Sequence, residues 1–436
     1  MGRPEEVFGD FREEAARLGL VPPGDPGRVL GRPTVIAGTA LSNRICALPM
    51  EGWDGDPSGA PTELTRMRWK RYGDSGAALV WGEAAAVSLE ARSHPEQLVL
   101  SEENLGGFEE LARLARKGGG RSGGEGRLVG IQLAHGGRLA RPRPAPVFHD
   151  PWLDGLTGLD PAAPLLTDGE IEGIVEDFTA AAIRAAGAGF DFVDVKLCHG
   201  YLGHELLSAK DRPGLYGGPL ENRTRFFFQV LEEIRREAPG LLVTFRVSVF
   251  EPSWAPRGTE GAPVPFGASK EDPWSMDLEE PLAFLEAAER AGTAFFASSL
   301  GSPYTTPHLV RPALHPAQGD PPPPESWREG AARHLAAAGA LKAARPGMSL
   351  VSGGMSALGE ALPWVGAAAL EAGRMDFLGL GRALLARPDW PGRVLEGDLP
   401  AGGEVCTACS LCTTMARLGR PAGCYCLDPE YQGLGR

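Results

Sequence analysis

The stretch "DVKLCHGYLGHELLSAKDRPGLYGGPLENRTRFFFQVLEEIR" (194–235) begins as a strand and ends as a helix. Apolar residues alternate through Val195 and Leu197, a Gly- and Pro-containing turn follows, and Phe226, Val230 and Ile234 then recur at helical spacing. Immediately upstream, "DGEIEGIVEDFTAAAIRAAGAG" (168–189) carries a helical period into the strand "FDFVDVKLCHG" (190–200). Working outward, the same alternation repeats. Strand-like runs occur at "NRICALPM" (43–50), "AALVWGEA" (77–84), "LVGIQLAHGG" (128–137), "LLVTFRVSVF" (241–250), "TAFFASSLG" (293–301), "MSLVSGGMS" (348–356) and "MDFLGLGRA" (375–383). With 190–200 these make eight β-then-α units, the signature of an α/β parallel (β/α)8 TIM barrel. An open doubly wound sheet is the alternative, but no strand is followed by the Gly-rich phosphate turn of a dinucleotide-binding domain.

Residues 30–398 are assigned to the barrel, 1–29 to an N-terminal helical extension around "EEVFGDFREEAARLGL", and 399–436 to a cysteine-rich C-terminal segment. The 60 glycines and 39 prolines of the 436 residues fall between apolar runs, as turn punctuation does. "GGGRSGGEG" (118–126) reads as a flexible surface connection. Two longer Gly/Pro-rich insertions, 138–166 and 251–277, follow the third and fifth strands, where a barrel builds its substrate loops. A net charge of -13 without a basic run argues against nucleic-acid or anionic-membrane partners. No charged and apolar leader and no membrane-length apolar run is present, so a cytoplasmic location with reduced thiols is expected.

Lys196, His199 and Tyr201 leave the C-terminal end of one strand, where side chains of a barrel meet the pocket. The pattern "HGYL…LS…YGG.LENR.RF" that follows resembles the old yellow enzyme family of flavin-dependent barrel oxidoreductases. It is most similar to the iron–sulfur branch that includes 2,4-dienoyl-CoA reductase, 2-enoate reductases and trimethylamine dehydrogenase. "NRICALPM", "QLAHGGR" (132–138), "FRVS" (245–248), "SGG" (352–354) and "LGLGRALLARPDWP" (378–391) agree in order, so the resemblance covers residues 30 to 426.

The resemblance implies FMN at the C-terminal face of the barrel. Pro49 and Met50 would line the isoalloxazine with Gly82 beside it, Gln132 would bond the pyrimidine edge, and Arg246 would place positive charge near N1. The phosphate would rest on Gly353, Gly354, Gly381 and Arg382. Lys196 and His199 would hydrogen-bond a substrate oxygen, and Tyr201 would supply a proton. Two departures stand out. Lys196 replaces the His or Tyr of relatives, and is read either as an enolate stabiliser or as the partner of Asp194. Glu51 replaces a small Thr or Cys near the flavin; it would lower the flavin potential, serve as an acid/base, or turn toward solvent or an Arg. His135 and His204 read as structural, and Cys46 and Cys198 as small buried residues.

Five of the seven cysteines fall in "VCTACSLCTTMARLGRPAGCYC" (405–426). Cys406-x2-Cys409-x2-Cys412-x11-Cys424 lacks the two separated hooks of a zinc ribbon and suits a cuboidal cluster wrapped by one loop. A 4Fe–4S cluster on Cys406, Cys409, Cys412 and Cys424 is expected, with Cys426 as the alternative fourth ligand; structural zinc and an empty loop stay open. The larger relatives feed such a cluster from a further nucleotide-binding domain, and this chain stops twelve residues after Cys424, so electrons are expected from a separate reductase or carrier, or directly from NAD(P)H.

The combined expectation is an FMN- and 4Fe–4S-dependent reductase of activated C=C bonds in enones, enoates or enoyl thioesters. Trp152, Trp254 and Tyr304 suggest an apolar or aromatic substrate. The alternatives are an amine or substrate dehydrogenase working in the oxidative direction and a non-catalytic electron-transfer module. A homo-oligomer is expected by analogy alone.

Overall fold

Each of the eight apolar runs forms a strand, and each pairs in parallel with the next. The computed structural model describes residues 4–117 and 126–435; the connection read at 118–126 lies, except for Gly126, outside the described residues. The strands are β1 (Thr34–Ile36), β2 (Thr39–Leu41), β3 (Ile45–Ala47), β4 (Leu79–Ala86), β5 (Leu128–Ala134), β6 (Phe192–Leu197), β7 (Leu242–Ser248), β8 (Phe295–Ser299), β9 (Ser349–Ser352) and β10 (Phe377–Leu380). β3 to β10 close into a barrel in sequence order, with β10 returning to β3. Helices between strands cover the outside; those at Glu63–Asp74, Asp168–Gly187 and Trp327–Ala344 each begin in a reciprocal capping box, from Thr62, Thr167 and Ser326.

The period-2 alternation of the strands sorts the barrel interior into layers. On β6, Phe192, Asp194 and Lys196 face inward at successive levels, and Lys196 lies in register with Arg246 on β7. At the lowest level Trp81, Phe192 and Phe295 meet edge to face at 5.2 to 5.6 Å, forming an aromatic floor. Above it Asp194 is fully buried and accepts from Trp81 Nε1 (2.7 Å), Gln132 Nε2 (2.5 Å) and the Arg246 amide (2.8 Å). Burial raises the Asp194 carboxyl to about 6 against those donors. The upper level opens into a cavity.

The sequence gives little sign of the hairpin β1–β2, whose turn residues Ala37 and Gly38 both have positive φ. Its Ile36 and Leu41 pack against the aromatic floor and seal the N-terminal end of the barrel. The N-terminal extension is a 3-10 segment, Pro4–Phe11, followed by a short helix, Arg12–Arg17. Phe8, Phe11 and Ala15 join the same hydrophobic core as the barrel helices. No described helix is long and apolar enough to cross a membrane.

Candidate active site

A cavity of about 270 Å³ opens at the C-terminal ends of the strands. Pro49, Met50, Glu51, Gln132, Lys196, His199, Tyr201, Arg246, Gly354, Gly381 and Arg382 all line it, so eleven of the thirteen expected catalytic and flavin residues converge. Gly82 and Gly353 do not. A β-bulge between Gly82 and Ala84 turns Gly82 outward, where an added Cβ would meet the Trp69 ring at 2.1 Å. At Gly353 a Cβ would strike Leu48, itself a lining residue, at 2.5 Å. Gly354 serves a different need: its φ of +81° and the His334 ring 2.3 Å from any Cβ exclude every other residue.

On one side of the cavity Glu51 is the hub of a polar network. Its carboxylate accepts from Lys196 Nζ at 2.5 Å, from Tyr201 Oη at 3.1 and 3.2 Å, and from Trp53 Nε1 at 3.0 Å. Tyr201 also shares a 2.7 Å hydrogen bond with Ser93 Oγ. The Lys196 ammonium stands 3.3 Å from the centroid of the Tyr201 ring. Lys196 therefore pairs with Glu51 rather than with Asp194, whose oxygens are engaged by Trp81, Gln132 and the Arg246 amide. Glu51 turns neither to solvent nor to an Arg. Burial and the nearby Glu51 charge raise the Tyr201 phenol well above its ordinary range, so it holds its proton. Burial, with Arg246 and Lys196 close by, holds His199 well below the usual imidazole range; neutral, it shares a 3.0 Å hydrogen bond with Ser299 Oγ.

The loop that carries Glu51 is fixed from behind by buried charge. Arg68 bonds Asp54 (2.5 and 2.9 Å) and Glu83 (2.6 Å), and Glu83 accepts from the Gly52 amide at 2.8 Å. His135 and His204 lie outside the cavity lining, each accepting a backbone N–H at Nδ1, from Gly137 and Gly200. Both are buried, as are Cys46 and Cys198.

The aromatic lining differs from expectation. Tyr304 reaches the cavity, but Trp152 is 42% exposed on the short helix Pro151–Thr157, and Trp254 packs on Phe148 beside a separate small cavity. Trp53 takes their place, stacked on His94 at 4.4 Å. Its positive φ of 48° follows from a tight loop that no periodicity announces, although the "GWDG" run around it is a turn signal.

The donor set fits FMN. Arg246 and Arg382 are buried, and among the described residues Arg246 Nε and Arg382 Nη1 have no hydrogen-bond partner. Such atoms suit the pyrimidine edge and phosphate of a flavin. The cysteine-rich segment borders the same space, because Cys412 lines both this cavity and a smaller one ringed by Cys406, Cys409, Cys424 and Cys426. Among the described residues no three His, Cys, Asp or Glu side chains converge to hold a single metal ion. The five thiols of the segment line one small cavity. Cys409 Sγ lies 3.5 Å from Cys426 Sγ.

The chain is similar to several known proteins. The chain is 32% identical over 224 residues to an NADPH dehydrogenase of Bacillus subtilis (strain 168), a match covering 49% of this chain and 62% of that protein. In sequence it thus spans less than two thirds of that relative. An NADPH dehydrogenase of Geobacillus thermodenitrificans is 26% identical over 83% of this chain and 92% of its own. In structure, 2-naphthoyl-CoA reductase matches 92% of this chain and 57% of its own at a TM-score of 0.72 and 20% identity. Histamine dehydrogenase from Rhizobium sp. 4-9 matches 92% and 52% at 0.67 and 22%. At those identities the structural likeness speaks for the fold alone. The characteristic sequence pattern of the NADH:flavin oxidoreductase / NADH oxidase family spans residues 30–291. The chain belongs to that family.

Proposed function

We propose that this protein is an FMN-dependent oxidoreductase that reduces an activated C=C bond, with NAD(P)H as the ultimate source of hydride. The observation that carries the proposal is the placement of Tyr201, a buried and firmly protonated phenol at the cavity wall with Ser93 behind it and Lys196 over its ring. Bound FMN would supply hydride transfer to the β-carbon of the substrate. Pro49, Met50, Gln132 and Arg246 would hold its ring system, and Gly354, Gly381 and Arg382 its phosphate. His199 offers a neutral hydrogen bond to the substrate oxygen, and Tyr201 delivers the proton to the α-carbon. Lys196, paired with Glu51 and standing over the ring, stabilises the resulting phenolate, and Ser93, which shares a hydrogen bond with the phenol, offers the route by which it regains a proton.

The Glu51–Lys196 pair also bears on substrate charge. With the ammonium 2.5 Å from the carboxylate, the Glu51 wall presents no net negative charge for a cationic amine. This favours a neutral conjugated carbonyl over an amine. Cys406, Cys409, Cys412 and Cys424 would hold a 4Fe–4S cluster that relays single electrons between the flavin and a separate carrier. The test is the flavin, iron and sulfide content of anaerobically purified protein, with spectra before and after NADPH. FMN with four irons per chain is expected, and bleaching by an amine without turnover of any enone would overturn the reductase reading.

A further inference from the structure

The cavity has a wall that does not belong to the barrel. Cys412, Ala416, Arg417 and Ala422, all from the cysteine-rich segment, line the same space as Met50 and Arg246. The segment is seated by polar contacts across long sequence separations. Arg417 bonds Asp320 Oδ1 (2.6 Å) and the Gln318 carbonyl (2.8 Å), and the Gln318 amide donates to Thr414 Oγ1 at 3.0 Å. On the opposite flank the Ala422 amide donates to the Gly52 carbonyl at 2.7 Å, next to Glu51. Asp428 pairs with Arg71.

The charges at this wall are unbalanced. Arg311, which also lines the cavity, bonds the other oxygen of Asp320 at 2.8 Å, so two guanidinium groups share one carboxylate. Arg382 adds a third, 7% exposed, held by the Pro312 carbonyl at 2.6 Å with Nη1 unpartnered among the described residues. Asp320 answers one of the three charges. Such a surplus in a partly desolvated pocket favours a multiply charged anion.

We infer that the cysteine-rich segment is a conditional wall of the flavin cavity: Arg417, held with Arg311 on the shared carboxylate of Asp320, completes the anion-binding side, so flavin binding and seating of the segment stabilise each other. The inference rests on the proposal that the cavity holds FMN. It assigns to Arg417 and Asp320 a part in cofactor retention in addition to any role of the cysteines. Whatever binds across both walls favours their joined state, and by linkage the joined state binds it more tightly.

The test titrates the full-length apoprotein with FMN by fluorescence quenching and follows amide hydrogen exchange of residues 405–426 with and without FMN. Wild type should bind FMN and show exchange in the segment slowed by about tenfold or more on binding. Arg417→Ala should weaken FMN by about tenfold, the scale of one charge-assisted contact, and abolish most of that slowing. Arg417→Lys should recover part of both, and Arg236→Ala, on an exposed outer helix, should change neither. FMN binding to wild type without slower exchange in 405–426, or unchanged affinity in Arg417→Ala, would overturn the inference. Failure of wild type to bind FMN at all would overturn the cofactor reading and this inference with it.

Discussion

The two walls of the cavity are built in different ways. Gln132, Lys196 and Arg246 rise from adjacent barrel strands, standing on a layer in which Asp194 gathers three donors over an aromatic floor. Arg311, Cys412 and Arg417 face them from a loop and a tail segment joined by side-chain contacts, many of them part-exposed. The first wall is fixed by the same hydrogen bonds that close the barrel, so its geometry lasts as long as the fold does. The second is tied to the barrel by a few side-chain contacts, so by the inference drawn above it seats and releases with the flavin. Lys196 and Arg246 sit on the strand-built wall, whereas Arg311 and Arg417 sit on the tied one.

Arg68 touches both and gives the largest expected effect. It bonds Asp54 and Glu83 within the barrel and approaches Tyr431 Oη of the tail at 3.4 Å. Arg68→Met leaves two buried carboxylates without their cation and should cost about 3–5 kcal/mol in urea unfolding. A loss below about 1 kcal/mol would mean that the network is not what fixes the Glu51 loop. Next in size, Asp194→Ala strips a partner from Trp81, Gln132 and the Arg246 amide. With about 1–3 kcal/mol for each stranded buried donor, a loss of about 3 kcal/mol is expected in the same measurement. If it instead left stability unchanged, the strand-built wall would owe its rigidity to something else.

The acid response sharpens the contrast further. Burial depresses His135, His204 and His334 to about 4, so the stability they contribute is present above pH 6.5 and is lost as pH falls toward 4. Asp194 and Glu251, raised by burial to about 6 and about 7, act in the opposite sense: they favour the fold at low pH and cease to do so as pH rises through those values. Three imidazoles, joined by the depressed His199, should outweigh two carboxylates, and the thermal midpoint should drop between pH 6.5 and 4. His334→Gln, which keeps a donor for the Leu309 carbonyl, should make that drop shallower. The smallest effect is expected at Trp152, exposed and away from either wall: Trp152→Ala should shift stability by less than about 0.5 kcal/mol and leave turnover unchanged.

The same contrast governs what could be read in the sequence. Strand-borne residues follow a period of two, so the inward set Phe192, Asp194 and Lys196 and the eight-strand closure were legible from apolar runs and their spacing. Lys196 bonding Glu51 was not, because the two are brought together by a loop conformation 145 residues away in sequence. Trp53, Arg311 and Arg417 were hidden for the same reason: loops carry no periodicity, and an Arg in a helical run such as "LCTTMARLGR" looks like any solvated charge. Gly82 was misplaced by a bulge, which shifts the facing of a strand without a sequence mark beyond the glycine itself. The cysteines were conspicuous by clustering, and their side chains line one small cavity; their spacing alone does not say what they hold.

Proton delivery by Tyr201 to a conjugated substrate is the claim on which this description of the site turns. The direct measurement is anaerobic stopped-flow reoxidation of NADPH-reduced protein by cyclohex-2-enone, comparing wild type with Tyr201→Phe. Rapid flavin reoxidation with saturated ketone as product is expected for wild type, and loss of the phenol should lower turnover by about 10²–10⁴-fold while flavin reduction by NADPH proceeds unchanged. Equal turnover by the two proteins, or no reoxidation of wild type by any enone, would contradict it.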